Sequence, residues 1–244
     1  MKPNRMLINI FTIALAAFAL TAIAQEGISP VPAPQLPQNA LTTMTLGKMF
    51  TYFMVMLGPI KLLGPFVKIS RGMDAPASRM LAVKGFGIAC LAGVIAAVLG
   101  KNILANWGVS LPALLLAAGL VLLLVALKSV LSQYEQPSAP TTETQPPARF
   151  LALSPLAFPN IITPYGIAAL ILLDAATPPE QTLSILGVFL AVMVLNLIAM
   201  FFAKPIIKYC ADILTILGAV LGVLQVALAI QMLLLAFRML GIVP

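Results

Sequence analysis

Two proline-containing clusters interrupt apolar stretches that otherwise resemble lipid-spanning helices. The stretches read MVMLGPIKLLGPFVKIS (54–70) and PLAFPNIITPYGIAAL (155–170). The prolines and their small or polar neighbours are Gly58, Pro59, Gly64 and Pro65 in the first cluster, and Pro159, Asn160, Thr163 and Pro164 in the second. Because proline lacks a backbone donor and clashes with the preceding turn, each cluster predicts a broken helix. Backbone groups freed in this way cannot face lipid, so each break must face protein or a wet cavity.

A broken helix can bind an anionic group. It places the N-terminus of a half-helix near the middle of the membrane, where free N–H groups and the positive dipole end suit a carboxylate. Lys61 lies inside the first cluster. A lysine at the bilayer centre costs roughly 2.5–3.5 kcal/mol, so its side chain should face a cavity. There it would bind a substrate carboxylate or lie uncharged. The alternative is that the span ends near Gly64 and Lys61 snorkels to the cytoplasmic interface.

The second cluster adds polar groups without a charge. Asn160 and Thr163 would exchange hydrogen bonds with a zwitterion, or would instead bond to backbone groups that the prolines free. Tyr165 either narrows the site or only packs. The predicted substrate-binding residues are Pro59, Lys61, Gly64, Pro65, Pro159, Asn160, Thr163, Pro164, Tyr165 and Gly166. We predict no catalytic residue and no metal ligand.

The composition places these clusters in a membrane. Of 244 residues, 61% are hydrophobic and only 9% are charged, with a mean hydropathy of +1.07. Since soluble domains have about a quarter charged residues, this chain cannot form a sufficient polar surface. The net charge of +7 therefore reports membrane orientation and not nucleic-acid binding.

The chemistry of redox centres and metals has little support in this chain. There is no histidine, and the two cysteines, Cys90 and Cys210, are far apart and form no C-x-x-C motif. No zinc site, disulfide framework or thiol-redox motif is therefore indicated. We expect no cofactor and no enzymatic activity.

The hydropathy pattern predicts an all-α polytopic membrane protein with six transmembrane helices. The candidate spans are roughly 46–70, 80–100, 110–131, 150–173, 182–203 and 213–237. Each proline cluster opens a set of three spans, and an odd number per set makes the two sets inverted repeats. The predicted division is repeat 1 at 46–131, a flexible cytoplasmic linker at 132–149 and repeat 2 at 150–242.

The N-terminus has the order of a secretory signal peptide. Lys2 and Arg5 precede an apolar stretch that ends in the small-x-small sequence Ala22-Ile23-Ala24. We expect residues 1–24 to be removed, and the alternative is an uncleaved anchor helix. Residues 25–45, with four prolines, would form an external linker.

Basic residues orient the predicted spans. With residue 25 outside, the loops 68–84, 128–149 and 204–212 are cytoplasmic and contain eight lysines and arginines. The external side contains three, Lys48, Lys101 and Arg238. This asymmetry follows the positive-inside rule and predicts that both mature termini are external.

The second cluster resembles the second-half signature of the MarC family of bacterial inner-membrane proteins. That signature is Pro-Leu-Ala-x-Pro, a polar or small stretch, Gly-Pro-Gly and an apolar helix. WGVSLPALLLAAGLVLLLVAL (107–127) is similar to the family's third span and ILGAVLGVLQVALAIQMLLLAF (216–237) to its last, so the resemblance covers about residues 46–242. It implies an inner-membrane protein with six spans. Because some relatives are linked to transport of alanine and glycine, it also implies transport of small neutral amino acids.

The chain departs from the family pattern at both clusters. The family's first half reads Asn-Pro, four residues and Pro, whereas this chain reads Gly58-Pro59, five residues that include Lys61, and Pro65. Its counterpart of Gly-Pro-Gly is TPYG (163–166). These departures concern the choice of substrate and not the fold.

Three classes of function follow. We favour a secondary transporter or exporter of a small polar solute that works by alternating access around the paired breaks. The first alternative is a non-transporting scaffold or accessory protein. The second is a membrane thiol electron carrier, which needs Cys90 and Cys210 to meet at a break. The expected partners are a small-molecule substrate and membrane lipid, with a homo-oligomer left open and no nucleic acid.

The remaining polar residues of the spans have expected structural roles. Asn196, Gln225 and Gln231 are single polar residues in apolar helices and should make interhelical hydrogen bonds. Asp174 should be solvated at the outer mouth of span four.

Overall fold

The computed structural model describes residues 46–131 and 151–243, which contain helices and turns but no strand. The predicted signal peptide and the external and cytoplasmic linkers lie outside these ranges. Their assignment stays a prediction.

The first half contains four helices, which are α1 (Leu46–Leu57), α2 (Pro59–Ile69), α3 (Ala75–Asn106) and α4 (Leu111–Leu131). Gly58 separates α1 from α2 in an extended conformation. Pro59 opens α2 because the first helical position needs no N–H donor and suits the fixed φ of proline.

The second half begins with a π-helical segment, α5 (Ala152–Ile161), followed by α6 (Pro164–Ala176). A 3₁₀ turn at Pro179–Gln181 leads into α7 (Thr182–Phe201), and α8 (Ala203–Met239) ends the fold. Extended residues interrupt α5, and α8 is kinked at Cys210.

The described ranges confirm a multi-pass helical membrane protein. They contain five helical stretches long and apolar enough to cross a membrane, of which α1 and α2 together form one 24-residue stretch. The pair α5 and α6, bent by 57°, would make a sixth.

Two predicted boundaries differ from the ends of the helices. Helix α3 contains the predicted span 80–100 and continues beyond it at both ends. The predicted loop 204–212 is helical, because α8 begins at Ala203. Hydropathy marks only the lipid core, whereas helices continue into the polar interface on either side. Lys204, at the start of α8, donates to the Met73 carbonyl oxygen at 2.8 Å and so holds this end of α8 against the α2–α3 turn.

Apolar side chains from both halves form the core. The buried rings of Phe53 on α1 and Phe189 on α7 meet edge to face, with 6.2 Å between their centroids. Phe189 also fills the space beside Gly93 on α3, where an added Cβ would lie 2.2 Å from the ring. The most extensive helix pair joins α4 and α8, while α3 packs on α5 and α6. This packing buries Leu57 and Pro59 of the first break, whereas Pro159 and Pro164 of the second break are exposed.

Candidate functional site

The two breaks touch inside the bundle. Gly166, in the first turn of α6, packs against Leu57, the last residue of α1. A Cβ at Gly166 would lie 2.3 Å from Leu57 Cδ2, so only glycine permits this approach without rearrangement. The break of one half is therefore in direct contact with the break of the other.

Two buried amides bond to carbonyls that the first break frees. Pro59 cannot donate to the Val55 carbonyl, which lies four residues earlier. Gln225 Nε2 of α8 donates to Val55 O at 2.6 Å, and Asn196 Nδ2 of α7 donates to Leu57 O at 2.7 Å. Both amides are buried, with 0% and 1% of the Gln225 and Asn196 surface exposed. The break is thus shielded from lipid in the way that a bilayer requires.

Lys61 points into the bundle. Its ammonium group donates to the side-chain oxygen Oε1 of Gln225, so the alternative that Lys61 snorkels to the interface is wrong. In the part of the chain that the structure describes, no carboxylate bonds to Lys61. Its charge is placed in the first turn of α2, a helix start that lacks a side-chain cap.

The second break connects to the same amide. Thr163 caps α6, because its Oγ1 accepts the Gly166 N–H at 3.0 Å. The buried hydroxyl group of Tyr165 lies beside the side chains of Thr163 and Gln225. Lys61, Gln225, Tyr165 and Thr163 therefore lie near one another between the two breaks, and we call these four residues the polar row.

The structure brings some predicted site residues together and leaves others apart. Pro59, Lys61, Thr163, Tyr165 and Gly166 lie at the two breaks. Gly64, Pro65, Pro159 and Asn160 lie outside the polar row, and Pro164 lies between its members Thr163 and Tyr165 as the first residue of α6.

These five residues have three kinds of setting. Gly64 and Pro65 lie within α2, and Gly64 faces open space. Pro159 and Pro164 are exposed. Asn160 Nδ2 donates to Pro155 O at 2.7 Å within α5, which is the backbone-satisfying role considered for it.

Gln225 belongs to the site although the sequence indicated only a structural role. The predicted interhelical hydrogen bonds are confirmed for Gln225 and Asn196. The prediction is wrong for Gln231, which is exposed six residues further along α8. The signal that could have identified Gln225 is an amide in an apolar span that contains no local partner for it.

Asp174 is not solvated as expected. Only 4% of its surface is exposed, and its carboxylate accepts the Thr182 hydroxyl group at 2.6 Å. The start of α7 therefore covers the end of α6. The sequence of the loop between them does not indicate this contact.

The site offers donors and acceptors side by side. Lys61 and the uncapped start of α2 supply donors. The buried Asn196 Oδ1 has no hydrogen-bond partner among the described residues and is a free acceptor. Cys90 on α3 and Cys210 on α8 are free thiols, each half-buried. Over the same described ranges, no three His, Cys, Asp or Glu side chains converge to hold a metal ion. The arrangement suits a small ligand with both hydrogen-bond acceptors and donors.

Comparison with known proteins identifies the family. The family model described as MarC family integral membrane protein matches residues 43–240, which include both breaks and every residue of the polar row. No curated protein and no solved structure matches the chain. A match over most of the sequence, together with the membrane-spanning helices, shows that the chain belongs to the MarC family of integral membrane proteins.

Proposed function

We propose that this protein is a secondary transporter or exporter of a small polar solute, with small neutral amino acids as the first substrate class. The observation that carries the proposal is the polar row, which joins the two broken helices through Lys61, Gln225, Tyr165 and Thr163. Transporter sites commonly lie between broken helices near the midplane.

The charges of the first break match a zwitterion. A carboxylate would accept from Lys61 and from the uncapped N–H groups at the start of α2. An ammonium group would donate to Asn196 Oδ1, the buried acceptor that has no partner among the described residues. Alanine and glycine have these two groups and little else, so they are the smallest ligands that use the whole site.

The mechanism that we propose is alternating access of two inverted halves. If α1–α2 is matched with α5–α6, α3 with α7 and α4 with α8, the main helix contacts correspond to one another. Thus the contact of α1 with α7 corresponds to that of α5 with α3, and that of α2 with α8 to that of α6 with α4. This correspondence supports an inverted repeat whose halves rock about the touching breaks.

The membrane setting belongs to the same proposal. We place the protein in the bacterial inner membrane with both mature termini in the periplasm, after removal of a signal peptide. The distribution of lysine and arginine along the chain supports this orientation. Residue-specific labelling of the mature N-terminus in intact cells, with mass spectrometry of the purified protein, tests both statements.

Counterflow of labelled alanine and glycine in proteoliposomes tests transport. Wild type should exchange both solutes, whereas Lys61→Leu should reduce exchange at least about tenfold, because a charge-assisted hydrogen bond is lost. Asn160→Leu should have the smaller effect, since Asn160 bonds within α5. If Asn160→Leu abolishes exchange and Lys61→Leu does not, the substrate site would lie at the second break and not at the first.

The same assay separates the alternative functions. A folded wild type that exchanges no solute would favour the scaffold or accessory role. The thiol electron carrier requires Cys90 and Cys210, which are free thiols on α3 and α8. Replacing both cysteines by serine should leave exchange intact, and loss of function in that variant would favour electron transfer.

A further inference from the structure

The first break brings together oxygen atoms of α1, α7 and α8, and the Lys61 ammonium group contacts one of them. Gln225 Oε1 accepts directly from the ammonium group. The other end of the same amide donates to Val55 O, so Gln225 connects the charge to the carbonyl end of α1. The Leu57 carbonyl, at the end of α1, is fixed by Asn196, whose own Oδ1 remains without a partner among the described residues.

This environment is that of a cation position. The C-terminal carbonyls of a half-helix and the unwound residue that follows are the groups that coordinate Na⁺ in transporters with broken helices. Carbonyl and amide oxygens are hard ligands, which such cations prefer. At the first break these groups come from α1, α7 and α8.

The helix that carries Lys61 does not itself favour a positive charge there. Lys61 lies in the first turn of α2, where the dipole of α2 is positive and opposes a cation. Any compensating interaction must come from the negative end of α1 and from Gln225 Oε1. The ammonium group is therefore held by Gln225 Oε1 and not by its own helix.

We propose that the ammonium group of Lys61 permanently fills a cation position at the first break, so that the protein needs no co-bound inorganic cation. The oxygen atoms of the break would otherwise attract a small cation, and the lysine supplies that charge from within the chain. The consequence of this proposal for transport is that exchange is independent of Na⁺, and that consequence rests on the proposed function. The existence of the cation position does not rest on the proposed function.

Thermal unfolding of purified protein in detergent tests the position without transport. Lys61→Ala removes the internal cation and leaves space, while Lys68→Ala, on the exposed side of the same helix, is the matched control. At equal ionic strength, Na⁺ or methylammonium should raise the unfolding temperature of Lys61→Ala relative to N-methylglucamine. Wild type and Lys68→Ala should show no such difference. A folded Lys61→Ala protein that responds equally to all three cations would overturn the proposal.

Counterflow of labelled alanine tests the consequence. Wild type should exchange at the same rate with Na⁺ or N-methylglucamine as the cation. Lys61→Ala should lose exchange by roughly tenfold to a hundredfold, and methylammonium should restore part of it. Wild-type exchange that requires Na⁺ would contradict the proposal, as would full activity of Lys61→Ala in N-methylglucamine.

The two assays separate the failure of each idea. Cation-specific stabilisation of Lys61→Ala without any wild-type exchange would retain the cation position and reject the amino-acid transporter. Wild-type exchange without cation-specific stabilisation of Lys61→Ala would retain the transporter and reject the cation position. If Lys61→Ala does not fold, Lys61→Met replaces it in the exchange assay. Exchange by wild type that depends on Na⁺ would still contradict the proposal.

Discussion

The Lys61 ammonium group on α2 donates to the side-chain oxygen of Gln225 on α8, although 164 residues separate the two. The nitrogen of the same amide donates to the Val55 carbonyl at the end of α1. One glutamine thus interacts with a half-buried charge and with a backbone group that Pro59 leaves free. This explains how a proline break and a lysine can share the middle of one span.

Replacing Gln225 by leucine should damage both stability and transport. The substitution leaves the Lys61 donor and the Val55 acceptor unpaired, and each buried group left without a partner costs about 1–3 kcal/mol. Unfolding in detergent should therefore occur at a lower temperature, and alanine exchange should fall. Gln231→Leu, on the same helix but exposed, should leave both unchanged. Equal behaviour of the two variants would refute the role of the polar row.

Asn196→Ala should destabilise the first break without removing a charge. It deprives the Leu57 carbonyl of its donor, at a cost of about 1–3 kcal/mol in the free energy of unfolding. Asn102→Ala, which changes an exposed asparagine on α3, is the control and should have little effect. Urea-induced unfolding followed by tryptophan fluorescence would measure the difference, and a stability like that of wild type would contradict the structural role of Asn196.

Gly166→Ala should separate the two breaks. Its Cβ would lie 2.3 Å from Leu57 Cδ2 and 2.8 Å from Thr163 Oγ1, so one of these side chains must move. Overpacking of this kind costs about 1–3 kcal/mol, and exchange should fall because the site is displaced. Gly187→Ala on α7, where the added methyl group meets nothing within 4 Å, serves as the control. Normal exchange by Gly166→Ala would show that contact between the breaks is not needed.

Thr163→Val should weaken the start of α6. Valine keeps the shape but loses the Oγ1 acceptor for the Gly166 N–H, and loss of such a cap costs about 0.5–2 kcal/mol. Thr163→Ser keeps the acceptor and should restore most of the stability. Hydrogen exchange of the backbone amides in α6 would report the difference locally, and equal protection in both variants would contradict the capping role.

The membrane fold follows from sequence because the required signals are local. Apolar length identifies the spans, and Pro59 and Pro164 indicate where helices restart. The extent of the helices beyond the lipid core is less predictable, as α8 shows, because the polar interface accepts many sequences in helical form. The pair α5 and α6 is bent by 57°, whereas α1 and α2 form a single stretch. This difference between the two pairs also depends on the neighbouring helices.

The site was only partly predictable because its main contacts are long-range. Lys61 and Thr163 are identified by their place beside a proline. The role of Gln225 and the burial of Asp174 depend on which helices pack together, and nothing local to those residues specifies that. The two proline clusters indicated where to look, but their partners on α7 and α8 required the tertiary structure.

Direct binding of labelled alanine to purified protein most directly tests the claim that the joined breaks form one substrate site. The measurement compares wild type with Lys61→Met, Gln225→Leu and the control Gln231→Leu. We predict saturable binding by wild type and Gln231→Leu, weakened at least about tenfold in the other two variants, since each loses a hydrogen bond of a charged group. Equal binding by all four proteins, or no binding by a folded wild type, would contradict the account.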